Sequence, residues 1–468
     1  MKYNTVIGLE THVELSTKSK IFCSCPTDFG GAPNSHCCPV CTGEPGSLPI
    51  LNKKVLDYAI KAGIATNCTI ANLTHMDRKN YVYPDLPKAY QISQFEAPIC
   101  EHGFVELDSG KKIGITRIHI EEDAGKLIHK GGYTYVDYNR GGVPLIEIVS
   151  DPDISNMEEA REYVEKLQLI LRHIDVSDCK MQEGSMRCDV NISLNLPTDK
   201  EYGTRAEIKN MNSLTFMEKA IEYEYARQSD LLDSGEKVFQ ETRRYKENLG
   251  ITESMRSKED SQDYRYFREP DILSVTVDDT YIDSIRQSMP ELPSVKISRY
   301  MDSGLSIADA KIIVKYKKVS EFFDEVVACG IQPKMVSNTI LTQVFSSLSN
   351  DEEKELFNIA INSKQLADLL KLVQDNKINA NMAKSTLFKM LESGSDFSKY
   401  IGAEELKGID DDELQKLCLE AISSNARAVT DYKSGKEIAL KALLGYVMKA
   451  TCGKANAQAV EVTLKKLL

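Results

Sequence analysis

The sequence predicts an α+β fold, with a mixed α/β N-terminal domain followed by helical domains. Three observations point there. Up to about residue 290, short β-like runs such as TVIGLE (5–10), KKIGITRIHI (111–120) and PLIEIVS (144–150) are broken by Gly, Pro and Asp clusters, with amphipathic helices between some of them. From Val295 onward the pattern is nearly all helical. Five Cys lie between Cys23 and Cys41, among Pro and Gly, as in a small turn-rich knuckle.

The first run, GLETHVEL, alternates. As a strand it carries Glu10, His12 and Glu14 on one face and turns Thr11 to the other. Next, Cys23-Ser-Cys25 is followed after twelve residues by Cys38-Pro-Val-Cys41, with Cys37 adjacent. Two thiolate pairs joined by a loop can close a tetrahedral site, and the surrounding turns favour zinc over an iron–sulfur centre. Free buried thiols and redox chemistry are the competing readings. Four sulfurs would fill the coordination sphere, so such a metal holds the fold and does not activate water.

Segment 75–94, HMDRKNYVYPDLPKAYQISQ, interleaves Arg78, Lys79 and Lys88 with Tyr81, Tyr83 and Tyr90. That mixture can grip phosphates while rings stack on bases, or it can be a loop whose tyrosines pack on the domain. Further on, HIEEDAGK supplies Glu121, Glu122 and Asp123, VDYNRGG supplies Asp137, Asn139 and Arg140, and PLIEIVSDPD supplies Glu147 and Asp151. Converging strand ends would make an oxygen-rich site suited to Mg²⁺ held with nucleotide phosphates, whereas unconverged ones would be solvated turns.

Segment 156–174 has Met157, Ala160, Tyr163, Val164, Leu167, Leu171 and Ile174 at helical spacing, and 214–233 repeats the pattern less cleanly. GGY at 131–133 and GGV at 141–143 lack the strand–GxGxxG–helix context of a dinucleotide site. In GSMRCDVNISL, Arg187 and Asp189 share a strand face. In GTRAEIKNMNS, Arg205, Glu207 and Lys209 share another. Buried ion pairing and a substrate channel both fit that pattern.

Beyond Pro290, SEFFDEVVACGI, VSNTILTQVFSSL, EEKELFNIAI and SKQLADLLKLVQ suggest successive helices, and a break at 393–406 precedes a last helical segment. Between Ala421 and Leu468 eight Lys or Arg stand against three Asp or Glu, a local +5 on a chain of net charge -12. The overall balance excludes a uniformly basic nucleic-acid coat, while the tail suits phosphates, an acidic partner or plain solvation. The length, 468 residues, suits two to four domains, and 42% apolar with 27% charged residues excludes a mainly disordered or disulfide-stapled chain. With no signal-peptide pattern and no long apolar run, the expected compartment is the cytoplasm.

Eight segments, VIGLETHVEL, the CxC…CPVCTGEPGSLP pair, RKNYVYPDLPKAYQISQ, RIHIEEDAGK, DYNRGGVPLIEIVSDPD, GSMRCDVNIS, EIKNMNS and VMKATCGKANAQAV, together resemble the GatB/GatE family, the B subunits of aspartyl/glutamyl-tRNA amidotransferases. The resemblance spans essentially the whole chain. It implies a cradle domain over 1–292 holding the kinase and transamidase site, a helical domain over 293–397 and a YqeY-like tail over 398–468 that contacts tRNA. It also implies a heterotrimer with a GatA amidase, which releases ammonia from glutamine, and a small GatC subunit. The GatB-type chain would bind misacylated Glu-tRNA(Gln) or Asp-tRNA(Asn), phosphorylate the side-chain carboxylate with ATP and amidate it.

By motif, the resemblance assigns Mg²⁺ to His12, Glu122 and Glu147, with Glu10 in support and Glu121 as a further candidate. Glu10, His12, Glu122 and Glu147 are then the catalytic set, and Lys79, Arg140, Arg187 and Lys209 would position phosphates or the aminoacyl end. Cys23, Cys25, Cys38 and Cys41 match the zinc-bearing form, with Cys37 a bystander. Two other readings compete: a non-catalytic tRNA-binding scaffold, and a metal-dependent enzyme acting on a small acid without RNA.

Overall fold

The computed structural model describes residues 2–211, 213–257, 263–402, 411–451, 455 and 457–468. Asn212 of EIKNMNS, positions 452–454 and 456 of VMKATCGKANAQAV, and 403–406 of the expected break lie outside the described residues. The chain divides into two compact units, Met1–Pro293 and Ser294–Leu468.

The first unit is built on a nine-stranded sheet. In spatial order its strands are Ile251–Ser257, Glu241–Lys246, Ala206–Met211, Met186–Asn195, Asn4–Glu14, Pro144–Ser150, Lys112–Glu122, Cys100–Glu106 and Thr69–Ile70. Every neighbouring pair is antiparallel except 206–211 with 241–246. Strand 4–14 therefore sits in the interior, hydrogen-bonded on both sides. Its odd positions Ile7, Leu9, Thr11 and Val13 are buried, while Glu10, His12 and Glu14 emerge on the other face. Antiparallel sheets commonly pack one face and leave the other polar, and this one does so at its centre.

Helices Lys53–Ala65, Met157–His173 and Leu214–Asp233 cover the apolar face and share one hydrophobic core with it. Asn156 caps the second of these by accepting from the Glu159 N–H at 2.8 Å, and Ala160, Tyr163, Val164, Leu167 and Leu171 are fully buried at the expected spacing. The third helix shows a blurred pattern because its inward face carries Glu224 and Gln228. Glu224 is fully buried and accepts from Arg227, Gln228 and Thr252, so its carboxylate is satisfied inside the core. Smaller sheets flank the large one: strand Asp77–Asn80 pairs with Tyr90–Ser93 and Phe267–Arg268, and Lys126–Lys130 with Tyr133–Asp137 forms a separate hairpin.

The described residues of 294–468 contain helices and no strand. Lys317–Ala328 and Ser363–Gln374 fall where the apolar pattern predicts them. The helix expected over EEKELFNIAI is shorter, Asp351–Leu356, because Phe357 takes a left-handed conformation at φ 47 and ends it. At the C-terminus, Leu414, Cys418, Ala421, Leu440, Leu443, Val447, Val460 and Leu464 form a core of their own. No helix among the described residues is long and apolar enough to cross a membrane.

Candidate active site and metal centres

Strand register brings the ionisable residues into rows. His12 is opposite Arg187 on one side and Glu147 on the other, and Glu147 is opposite His119 in the next strand. The row Arg187–His12–Glu147–His119 thus crosses four strands, at the close lateral spacing of a β-ladder. Glu121, two residues beyond His119 and on the same face, leans into it. His12 Nδ1 is 2.9 Å from Glu121 Oε1 and 3.9 Å from Glu147 Oε2, and His119 Nε2 is 3.2 Å from Glu147 Oε2. Gln91 donates to Glu121 Oε2 at 3.2 Å.

The electrostatics follow from that crowding. Burial works against a charged His12, but the hydrogen bond and charge of Glu121, with Glu147 behind it, carry its pKa up to about 9. Burial would raise Glu147, yet the bond and charge of His119, with His12 and Lys79, hold it well below the usual carboxylate range. Glu121 is lowered in the same way, chiefly by His12 against its burial. His12, Glu121 and Glu147 offer one nitrogen and two carboxylates within reach of one ion, a donor set that fits a divalent cation.

This differs from the expected trio. Glu122 is not in the group: adjacent residues of a strand face opposite ways, and Glu122 turns to Lys88, whose Nζ is 2.6 Å from Glu122 Oε2. It also accepts from the Ile92 N–H at 2.9 Å. Glu10 lies one step along its strand in a separate acidic group with Asp189 and Glu207, and accepts from Asn191 at 2.9 Å. Burial, then the charges of Glu147, Glu207 and Asp189, raise the Glu10 pKa. Lys209 bridges the group, with Nζ 2.8 Å from Glu207 and 3.2 Å from Asp189.

Lys79 lies close enough to Glu121 and Glu147 for their charges to raise its pKa against burial, with Nζ 4.9 Å above the Tyr264 ring. Arg187 reaches Asp123 at 3.3 Å. Arg140 meets Arg187 on the same carboxylate, 3.3 Å from Asp123, and also donates to the Ala124 and Gly125 carbonyls, which fastens a turn. Arg78 is committed to Glu269 at 2.6 and 2.9 Å, an ion pair invisible in the local sequence. Asp137 and Asn139 serve the Cys loop, accepting from the Asn34 and His36 N–H groups, and Asp151 bonds Thr116.

Cys23, Cys25, Cys38 and Cys41 present their sulfurs within reach of one ion. Cys38 and Cys41 sulfurs are 3.9 Å apart, close to the roughly 3.8 Å edge of a tetrahedron with metal–sulfur bonds of about 2.3 Å. The short helix Pro39–Thr42 ends at Gly43, whose φ of 73 turns the chain back. A hydrogen bond from Cys23, opposed by burial and aided by the Cys38 N–H, lowers the Cys41 pKa, which favours the thiolate form that a metal takes. Cys37 stands outside the group, its thiol 3.9 Å from Asn139 Oδ1. Lys20, fully buried, donates to the Tyr138 carbonyl at 3.1 Å and lies near enough to Cys41 to favour the thiolate.

Sequence reasoning missed His119, although the alternation of RIHIEE carried its signal: Arg117, His119 and Glu121 share the face opposite buried Ile118 and Ile120.

Residues 5–283 match the family model described as the GatB/GatE catalytic domain, and residues 321–468 match the GatB domain model. The chain is 51% identical over 474 residues to the B subunit of the aspartyl/glutamyl-tRNA(Asn/Gln) amidotransferase of Thermoanaerobacter pseudethanolicus, covering 100% of each. It is 49% identical to the protein of that name from Caldicellulosiruptor bescii, covering 100% of this chain and 99% of the relative. A further relative of that name, from Geobacillus thermodenitrificans, is 49% identical over 97% of each.

Proposed function

The chain belongs to the GatB/GatE family, and on that premise we propose how it acts as the transamidating subunit of an aspartyl/glutamyl-tRNA(Asn/Gln) amidotransferase. It is a ligase component of protein biosynthesis, and its substrate is the side-chain carboxylate of glutamate or aspartate esterified to the wrong tRNA. A carboxylate resists attack because its leaving group would be oxide. Transfer of the ATP γ-phosphate gives a mixed anhydride and ADP. Ammonia then attacks the carbonyl, phosphate departs, and Gln-tRNA(Gln) or Asn-tRNA(Asn) results. In this reading ammonia comes from a GatA amidase, with GatC as third subunit, in the cytoplasm.

The observation that carries the reading is the row of His12, Glu147 and His119 with Glu121, laid across the centre of the sheet. His12, Glu121 and Glu147 would hold Mg²⁺. When bound, Mg²⁺ supplies the charge that lets the ATP phosphate and the tRNA-borne carboxylate, both anions, approach. Lys79 and Arg187 border the row and bring positive charge for phosphate oxygens, while Lys209 orders Asp189 and Glu207 beside Glu10. No protein nucleophile is needed. The four-Cys group would hold a structural zinc, in keeping with its sulfur-only donor set. The separate core at the C-terminus supports a tail domain over 398–468, after a helical domain over 293–397 and the cradle over 1–292.

The test is ATP turnover by the assembled complex with each misacylated tRNA. We expect turnover that depends on Glu-tRNA or Asp-tRNA, and its loss in Glu147→Gln with tRNA binding changed only a few fold. Undiminished turnover in that variant rejects the site. A scaffold subunit would show no such dependence, and an enzyme of small acids would turn over without tRNA.

A further inference from the structure

Away from the rows just described, His75, Asp77 and Glu96 bring a nitrogen and two carboxylates together, and none of the three belongs to the other metal centres. Asp77 is 1% exposed. Its Oδ2 accepts from the Phe95 and Glu96 N–H groups at 2.7 and 3.1 Å, which fixes the carboxylate. Its Oδ1 is buried without a hydrogen-bond partner, and so is His75 Nε2, 3.3 Å away. The two buried atoms face each other in an ion-pair contact that forms no hydrogen bond, an arrangement that an ion held by both would complete. Glu96 Oε2 stands 3.9 Å from the same nitrogen on a side chain that is 74% exposed and free to rotate inward.

We propose that His75, Asp77 and Glu96 bind a divalent transition-metal ion of the Zn²⁺ or Mn²⁺ class. Donors bound to one ion at about 2.0–2.2 Å lie roughly 3.0–3.5 Å apart, which the His75–Asp77 separation already meets and a rotation of Glu96 completes. An imidazole beside two carboxylates is a mixed nitrogen and oxygen set that Mn²⁺ and Zn²⁺ take more readily than the all-oxygen-seeking Ca²⁺. Two carboxylates balance the ion's charge, and water fills the open positions.

Such an ion ties the start of strand 77–80 to the turn that follows strand 90–93. That turn presents Phe95, stacked on Tyr266 at 4.2 Å, and its Phe95 carbonyl accepts from Arg117 at 3.3 Å. Gln94, in the same turn, accepts from the Ile120 N–H at 2.8 Å, between His119 and Glu121. The ion therefore braces the wall of the charged row without entering it.

The experiment is anomalous diffraction at the Mn and Zn edges on the full chain in its complex, with calorimetric Mn²⁺ titration in solution. A peak bonded to His75 Nε2, Asp77 Oδ1 and Glu96 is expected. It should vanish in His75→Ala, while any peaks at the four cysteines and at His12 stay. Glu96→Gln, at an exposed position that leaves folding intact, should weaken this one binding event tenfold or more. No peak at this position, or the same Mn²⁺ stoichiometry and affinity in wild type and Glu96→Gln, overturns the proposal.

Discussion

His119 Nε2 stands 3.2 Å from Glu147 Oε2, and the ring's other nitrogen is buried with no hydrogen-bond partner. The ring's polar contacts are thus to carboxylates of the cation group, Glu147 and, at 4.0 Å, Glu121. Donating to Glu147 fixes its rotamer. His119→Ala should weaken divalent-cation affinity by about 10- to 100-fold, the usual effect of removing a partner of a metal ligand, while His119→Asn should retain part of it. Calorimetry on the folded variants measures this, and equal affinities would leave His119 a packing residue.

Glu121 and Glu122 separate two functions by one residue. Glu121→Gln should abolish cation binding. Glu122→Gln should leave it within a few fold yet destabilise the fold by about 3 kcal/mol, because it strands the buried Lys88 ammonium. Denaturant titration together with cation titration distinguishes the pair; the opposite assignment of effects would restore the trio expected from sequence.

Cation binding should depend on pH through His12. Without metal its pKa is about 9, so at neutral pH only about 1% of the rings are in the neutral form that can ligate. Affinity should rise about tenfold per pH unit below 9 and level off above it, with close to one proton released per ion. Glu121 and Glu147, both lowered, stay ionised over this range and add nothing. For the metal-free fold the sign reverses: the raised His12 pKa contributes stability in full below 6.5 and loses it as pH climbs through 9. Titrations in buffers of different ionisation enthalpy report the proton count, and a pH-independent affinity would remove His12 from the ligands.

Cys41→Ser should lose the knuckle's metal and loosen its loop, whereas Cys37→Ser should keep a full complement by elemental analysis. A bound-metal loss in Cys37→Ser of the same size would mean that the loop rearranges around a different four sulfurs.

Exposed Lys441 and Lys449 lie on helix Leu440–Ala450, within the last thirty residues of the chain. Replacing both with Ala should weaken tRNA binding and flatten the dependence of log affinity on log salt by about one unit for each phosphate that a lysine had neutralised. An unaltered salt slope would assign the +5 of this region to solvation alone.

The sequence made the elements legible where a pattern is local. Helix 157–173 and strand 4–14 repeat at 3.6 and 2 residues, and their buried positions follow. The clustering of Cys23, Cys25, Cys38 and Cys41 was equally plain, since the ligands lie close along the chain. What the chain does not announce is which strand lies beside which. His12 meets Glu121 across 109 residues and Arg78 meets Glu269 across 191, so neither pairing has a local signature. The choice of Glu121 over Glu122 was different, because the alternation through Ile118 and Ile120 already determined which glutamate shares the face of His119.

Because the row is assembled by register, its tolerance to change is of a particular kind. One residue added to or removed from strand 4–14, 112–122 or 144–150 would turn every donor beyond it to the helix-covered side and drive an aliphatic residue into the charged row. The exposed hairpin of Lys126–Lys130 and Tyr133–Asp137 carries no such penalty at its tip. A scan of single-residue insertions along the first unit should therefore be a map of frame, silent at that tip and lethal within the three strands, with side-chain chemistry setting only the depth of each loss.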